Sequence, residues 1–580
     1  MLSATLHQKF AKTPNCFHPL CSLSLSLTTI TICGRTMTKL SLSKTLSFLN
    51  ICSLLILTNL SGCVPQGNDL VTTSGGKILG NNNGTIRTFR GVRFANPPIG
   101  DLRWAPPQAL SKWSGTQDAL VNGAGCVQGG IPTDVFSGDE DCLFLNIWVP
   151  SKPGTYPVMV WFHGGGLLQG SGSGAQYSGK QLARNNDVII VNVNSRLSFL
   201  GFVATPQLTE ESGYGGSGNQ GFLDQVEALK WVQQEISNFG GDPNNVTIFG
   251  ESGGAISVCS LLASPLTDSL FQKAIMQSGS CRMVRTPNLA GGEAKGDALF
   301  AKLGCDTASN PLACARALPA ADIVKAVDIK INELFVEHPD DWAYYPTSNI
   351  DGYFLPEHPI ALLKNGVKPE VSVLLGTNKN EGTMFVGLRD HSDNEEGYLD
   401  YLSTFYGDMA PQFSVIYPFS DYPSAGHAAA ALAGDGFMDC PSREMGDIMS
   451  QTGHSVFMYQ FVQDVSSFTT DIILELQRGE NTPPWGTYHT AEIPYVFGIQ
   501  SVLGYVNNPE RLNTQDIMMR YWANFAHTGN PNNANLPLWP PYNATQTDYI
   551  HLGGGFDTAT NLKPVQCDFW INNFFANGNW

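Results

Sequence analysis

The chain has 580 residues, 42% of them hydrophobic and only 14% charged, which is ample for a large buried core and argues against a disordered protein. Its formal net charge of −17, with no cluster of Lys or Arg, excludes nucleic acid as an expected partner, because an acidic surface repels a phosphate backbone. CxxC pairs, HExxH and Walker-type loops are all missing from the sequence, so neither a metal nor an organic cofactor is expected.

Residues 1–36 show no amphipathic period and no acidic residue, and read as an upstream extension absent from the mature protein. A better start lies at Met37. Lys39 and Lys44 then supply a positive region, and Leu46 to Leu60 a short apolar one. The apolar run is interrupted by Asn50 and Asn59, so residues 37–62 read as a signal peptide rather than a membrane span. It ends in Leu60-Ser61-Gly62-Cys63, which resembles the bacterial lipobox. By that resemblance Cys63 carries a lipid anchor, residues 63–70 form a tether, and the protein sits outside the cytoplasm, as a cell-envelope lipoprotein, expected in a bacterial outer membrane, or as a secreted protein.

Residues 71–580 show no linker, repeat or low-complexity break and are expected to form one α/β domain. The runs "PVMVWF" (157–162) and "DVIIVNVN" (187–194) have the continuous apolar and β-branched character of strands buried on both faces of a mostly parallel sheet. In "DQVEALKWVQQEIS" (224–237), Val226, Leu229, Val232 and Ile236 recur at helical spacing, which predicts the crossover helix. A turn at "FGGDPNN" (239–245) leads into the strand "VTIF" (246–249), and then into Gly250-Glu251-Ser252-Gly253-Gly254. A strand, this pentapeptide and a small-residue helix make the turn that holds a serine hydroxyl clear of the backbone. Later come the strand "VSVLLG" (371–376) and a helix around "QDIMMRYWANFA" (515–526).

A serine nucleophile needs an oxyanion hole, a base and an acid. "WFHGGGLLQG" puts Gly164-Gly165-Gly166 after a buried strand, so the N–H groups of Gly165, Gly166 and Gly253 are the expected donors, with His163 shaping the loop. Downstream histidines are His338, His358, His391, His427, His454, His489, His527 and His551. His489 lies in a loop before an aromatic segment and suits a base, whereas His527 reads as a helix C-terminal cap. Glu381, just past the strand 371–376, suits the acid, and Ser252, Glu381, His489 is the α/β-hydrolase order. The acidic run 390–396 does not fit an EF-hand loop and reads as a solvated surface. Eight cysteines lie in the body. Spacing suggests Cys126–Cys142 and Cys305–Cys314 as loop closures, and Cys259 reads as a buried thiol.

These stretches resemble the type-B carboxylesterases, the family that includes cholinesterases and related lipases. "FGGDPNNVTIFGESGG" (239–254) follows the family's serine signature and "EDCLFLNIWVP" (140–150) its second signature. "FRGVRFANPPIGDLRW" (89–104), "NQGFLDQVEALKWV" (219–232), "IDGYFLP" (350–356), "NEGTMF" (380–385), "HTAEIPYVFG" (489–498) and "WANFAHTGNPN" (522–532) follow it too, so the likeness runs from about residue 70 to 570. It implies an α/β-hydrolase fold with helical and loop insertions and a carboxylic ester hydrolase needing no cofactor. Ser252 would be the nucleophile, Glu381 the acid and His489 the base, with oxyanion donors at Gly165, Gly166 and Gly253. It also implies the disulfides Cys126–Cys142, Cys305–Cys314 and Cys440–Cys567, and a supporting role for Ser278.

The chain departs from the family pattern in three places. Gly253 replaces the usual Ala, a change expected to be mild. "GVRFA" (91–95) replaces Gly-Ile-Pro-Tyr-Ala. Between Cys126 and Cys142 there is no Trp, the residue with which cholinesterases bind a quaternary ammonium. Choline esters are therefore not the preferred substrates. Trp342, Tyr344 and Tyr345, just before "IDG", are candidates for an acyl pocket, which would favour short to medium acyl esters, or else for plain core. The alternatives are a long-chain lipase or steryl esterase, and a non-catalytic adhesion module on the same fold.

Overall fold

The computed structural model describes residues 67–129, 136–283, 285–326, 347–386, 392–465, 485–499 and 508–576. The leader with Cys63, and the candidate pocket residues Trp342, Tyr344 and Tyr345, lie outside the described residues.

Thirteen strands among the described residues form one sheet. The first half contributes β1 (Gly67–Thr72), β2 (Lys77–Asn82), β3 (Ile86–Arg93), β4 (Thr116–Asp118), β5 (Phe144–Pro150), β6 (Tyr156–Phe162) and β7 (Ile189–Val193). The second contributes β8 (Gly241–Glu251), β9 (Lys273–Gln277), β10 (Ser372–Asn378), β11 (Val456–Phe461), β12 (Asp548–Leu552) and β13 (Thr558–Thr560). Their order is β1-β2-β3-β5-β7-β6-β8-β9-β10-β11-β12-β13, with β4 beside β2. From β7 to β12 every pairing is parallel, as is the pairing of β4 with β2, while β1 with β2, β2 with β3, β3 with β5, β5 with β7, and β12 with β13 are antiparallel. This is the mostly parallel sheet expected from the apolar runs. Residues 64–580 form one compact unit.

Helices cover both faces. In Gln220–Glu235, Val226, Leu229 and Val232 are all buried, as the helical spacing requires. Beneath it the buried Arg196 grips Asp224 with its backbone N–H, Nε and Nη2, an ion pair that leaves neither charge uncompensated. β8 starts at Gly241, five residues before the expected strand, because the turn is made earlier, at Gly240, with φ 96°.

Four disulfides occur among the described residues: Cys126–Cys142, Cys259–Cys281, Cys305–Cys314 and Cys440–Cys567. The reading of Cys259 as a thiol is therefore corrected. Cys259 lies on the helix Gly253–Ala263 and Cys281 just past β9, and these elements pack together, which brings the two sulfurs within bonding distance.

Candidate active site

Parallel strands in register deliver their carboxyl ends to one rim, where ligand sites of open α/β sheets form. Phe162 is level with Gly250, Glu251 with Gln277, and Gln277 with Gly376. The glycine loop, Ser252, Ser278 and the Glu381 turn therefore leave the sheet side by side.

Ser252 caps the helix Gly253–Ala263 with φ 57° and ψ −120°, a conformation an L-residue holds only when its surroundings force it. The forcing is visible in the glycines around it. A Cβ on Gly254 would lie 2.0 Å from Phe162 O, and one on Gly250 would lie 2.5 Å from the carbonyl carbon of Gly254. Strand and helix therefore touch backbone to backbone, and the serine is left at the apex, 9% exposed.

Gly165 and Gly166 have φ of 108° and 63°, which turns the loop back toward the helix start. At Gly253 a Cβ would lie 2.8 Å from Gly166 N and 2.9 Å from Leu167 N. Gly166 and Gly253 are thus in contact, with the backbone nitrogens of Gly166 and Leu167 against the residue that follows Ser252. In this chain the loop fills the space that a methyl at Gly253 would need. His163 is buried, its Nδ1 2.8 Å from Gly164 O, and burial lowers its basicity, in keeping with a loop-shaping residue.

Glu381 and His489 meet. Nδ1 of His489 lies 2.7 Å from Glu381 Oε2, with both side chains buried, and Asn378 N–H donates to Glu381 Oε1 at 2.6 Å. The two loops that carry them are laced together. Asn380 N–H donates to Thr487 O at 3.0 Å, Thr487 N–H donates to Asn380 Oδ1 at 3.0 Å, and Asn378 Nδ2 donates to Tyr488 O at 2.9 Å. Thr490, next to the histidine, has φ 77°, a second strained residue at the rim. Phe385 stacks obliquely on the imidazole at 4.9 Å.

Nε2 of His489 lies 3.0 Å from Glu251 Oε1, close enough for an ion pair but not aligned as a hydrogen bond. No hydrogen bond joins Nε2 to Ser252 among the described residues. Ser278 is buried with φ 52°, and its hydroxyl has no hydrogen-bond partner among the described residues, so it is not tied to Glu381.

Sequence reasoning missed two further carboxylates. Glu251 precedes Ser252, and Glu492 stands three residues past His489, at the N-cap of the helix Ile493–Val496. Glu492 Oε1 accepts from Gln277 Nε2 at 2.9 Å and Oε2 from Asn378 Nδ2 at 2.6 Å. Burial, followed by the charges of Glu251 and Glu381, pushes Glu492 up to about 7. Burial raises Glu251 as well, with His489 opposing the rise. For His489, burial disfavours the cation, but Glu251 and Glu381 together outweigh it and hold the imidazole well above its ordinary value. The position of Glu251 inside the serine motif was an available signal. Nothing in the spacing of Glu492 marks it.

The family model described as the carboxylesterase family matches residues 67–570. Acetylcholinesterase of Bungarus fasciatus is 32% identical over 558 residues, covering 87% of this chain and 86% of that protein. Carboxylesterase 1F of Mus musculus is 33% identical over 568 residues, covering 90% of this chain and 97% of that protein. With its sheet, strained serine turn and buried acid–imidazole pair at the strand ends, the chain belongs to the carboxylesterase family.

Proposed function

We propose that the chain, a carboxylic ester hydrolase by family, works through an acyl-enzyme formed on Ser252. His489 takes the Oγ proton as Oγ attacks the ester carbonyl, and Glu381 orients the imidazole and stabilises its cation. The oxyanion is held by the N–H groups of Gly165, Gly166 and Gly253. His489 returns the proton to the departing alcohol, then deprotonates the water that releases the acid and frees Ser252. The observation that carries this reading is the buried 2.7 Å contact of His489 with Glu381 at the rim that also bears the strained Ser252. In a substrate-free site the serine–imidazole bond is commonly loose and tightens on binding, when Nε2 would exchange its contact with Glu251 for Oγ.

The preferred substrates are short to medium acyl esters, with choline esters disfavoured. Phe136 is the sole aromatic residue between Cys126 and Cys142, and Lys325 Nζ sits over its ring at 5.0 Å from the centroid. A ring face already carrying an ammonium is a poor seat for a second cation. Four disulfides fit an extracytoplasmic protein. The leader ending in Cys63 supports anchoring through a lipid at that residue.

Hydrolysis of aryl esters from acetyl to palmitoyl, by the wild type beside Ser252→Ala, tests the reading. Turnover that peaks at short chains and vanishes in the variant is expected. A peak at palmitoyl would move the enzyme to the lipases, and an undiminished variant would remove Ser252 from the mechanism.

A further inference from the structure

A buried charge cluster links the C-terminal segment to the turn that bears Glu381. The helix Ala425–Gly434 runs into a single π turn, Asp435–Asp439, before the helix Cys440–Gln451. Such widened turns are rare and recur at functional sites. Asp435 and Asp439 are both buried and share one cation. Lys563 Nζ donates to Asp439 Oδ2 at 2.7 Å and also to Asp435 Oδ1. Lys563 itself has left-handed backbone, φ 46°, and stands four residues before Cys567, the partner of Cys440. Ion cluster and disulfide together fasten the start of the last helix, Pro564–Phe569, to the π turn.

The segment around that π turn holds the acid turn from two sides. On one, Thr377 at the end of β10 donates its hydroxyl to Asp439 Oδ1. Its neighbour Asn378 supplies the N–H that fixes Glu381 Oε1. On the other, a Cβ on Gly382 would meet Ala430 O at 1.9 Å and Gly434 N at 2.7 Å, and one on Gly434 would lie 3.3 Å from Glu381 Cβ. Packing this close transmits any displacement of the π turn to the acid.

We propose that Lys563 is a positioning residue for the catalytic acid, acting through Asp439 and Thr377 on the β10 end and through the π turn on Glu381. This rests on Glu381 being the acid of the triad. Two buried carboxylates without their cation repel each other and Glu381, so the cluster must either take up a proton or open. Burial pushes Asp439 up to about 7, Lys563 opposes the rise, and Asp435 and Glu381 add to it. Among the described residues, the other titratable groups found facing the cluster are phenols. Tyr417 donates to Asp435 Oδ2 at 2.9 Å, and Tyr422 and Tyr549 lie within the field of these charges.

The test compares Lys563→Met, Lys563→Arg and Asp439→Asn with the wild type and Ser252→Ala, using an aryl acetate. Lys563→Met is expected to lower kcat at least tenfold with KM within twofold of wild type, and Lys563→Arg to recover most of the loss. Asp439→Asn removes a negative charge near Glu381, the partner of His489, so the acid limb of kcat/KM should move to lower pH by roughly half a unit. A folded Lys563→Met with wild-type kcat, or an unmoved acid limb in Asp439→Asn, overturns the proposal. If Lys563→Met does not fold, the limb of Asp439→Asn decides alone. A fully active Ser252→Ala would instead bring down the triad reading, whereas a dead Ser252→Ala beside a fully active Lys563→Met sinks only the role of Lys563.

Discussion

His489 is held between two carboxylates, Glu381 on Nδ1 and Glu251 near Nε2, and this fixes its pH behaviour. A general base must be neutral, and the charges around this imidazole favour its cation. Activity should therefore fall as pH drops through a value above the ordinary histidine range, giving an alkaline optimum. Glu251→Gln removes one of the two charges, so the acid limb of kcat/KM should move down by about one unit or more, measured on an aryl acetate. An unmoved limb would mean that Glu251 does not share the charge of the imidazole. Glu381→Gln should lower kcat far more than it shifts KM, by about a thousandfold or more, because the imidazole loses the group that orients it.

The contact between the helix Gly253–Ala263 and the glycine loop depends on Gly253 having no side chain. Gly253→Ala places a methyl against Gly166 N and Leu167 N, so either the loop retreats or the helix start shifts. Donors displaced by a few tenths of an ångström to one ångström should cost roughly tenfold to a hundredfold in kcat, with little change in melting temperature. A variant with wild-type kcat would show that the loop gives way freely. Much at this scale was legible in the sequence. The buried strands, the crossover helix and the serine turn follow from apolar runs, helical spacing and glycines. What was not legible depends on contacts between distant segments. Cys259 reads as one more small residue on an apolar helix face, and only the packing of that helix on the segment after β9 brings Cys281 to it. Glu492 meets Gln277 and Asn378, and comes under the charge of Glu251, only because the sheet sets their loops side by side.

Across the whole molecule, covalent closures tie segments outside the sheet to one another. Cys440–Cys567 spans 127 residues and Cys305–Cys314 only 9. On the chain-entropy account, losing the long closure should cost about 5 kcal/mol and losing the short one about 2–3 kcal/mol. Chemical denaturation of the paired serine variants should therefore separate them by about 2 kcal/mol, and equal losses would argue against an entropic origin. The sheet and its parallel centre were readable from the sequence, because each buried strand is a local apolar run. The charges around His489 were legible only in part, since Glu251 lies inside the serine motif whereas the spacing of Glu492 carries no signal. The central claim is that Ser252 is the nucleophile. The most direct measurement treats the protein with a fluorophosphonate and locates the adduct by peptide mass spectrometry. The account predicts one phosphonyl group, on Ser252, with ester hydrolysis lost in proportion to labelling. Folded protein that stays unlabelled, or that is inactivated by an adduct on another residue, would contradict it.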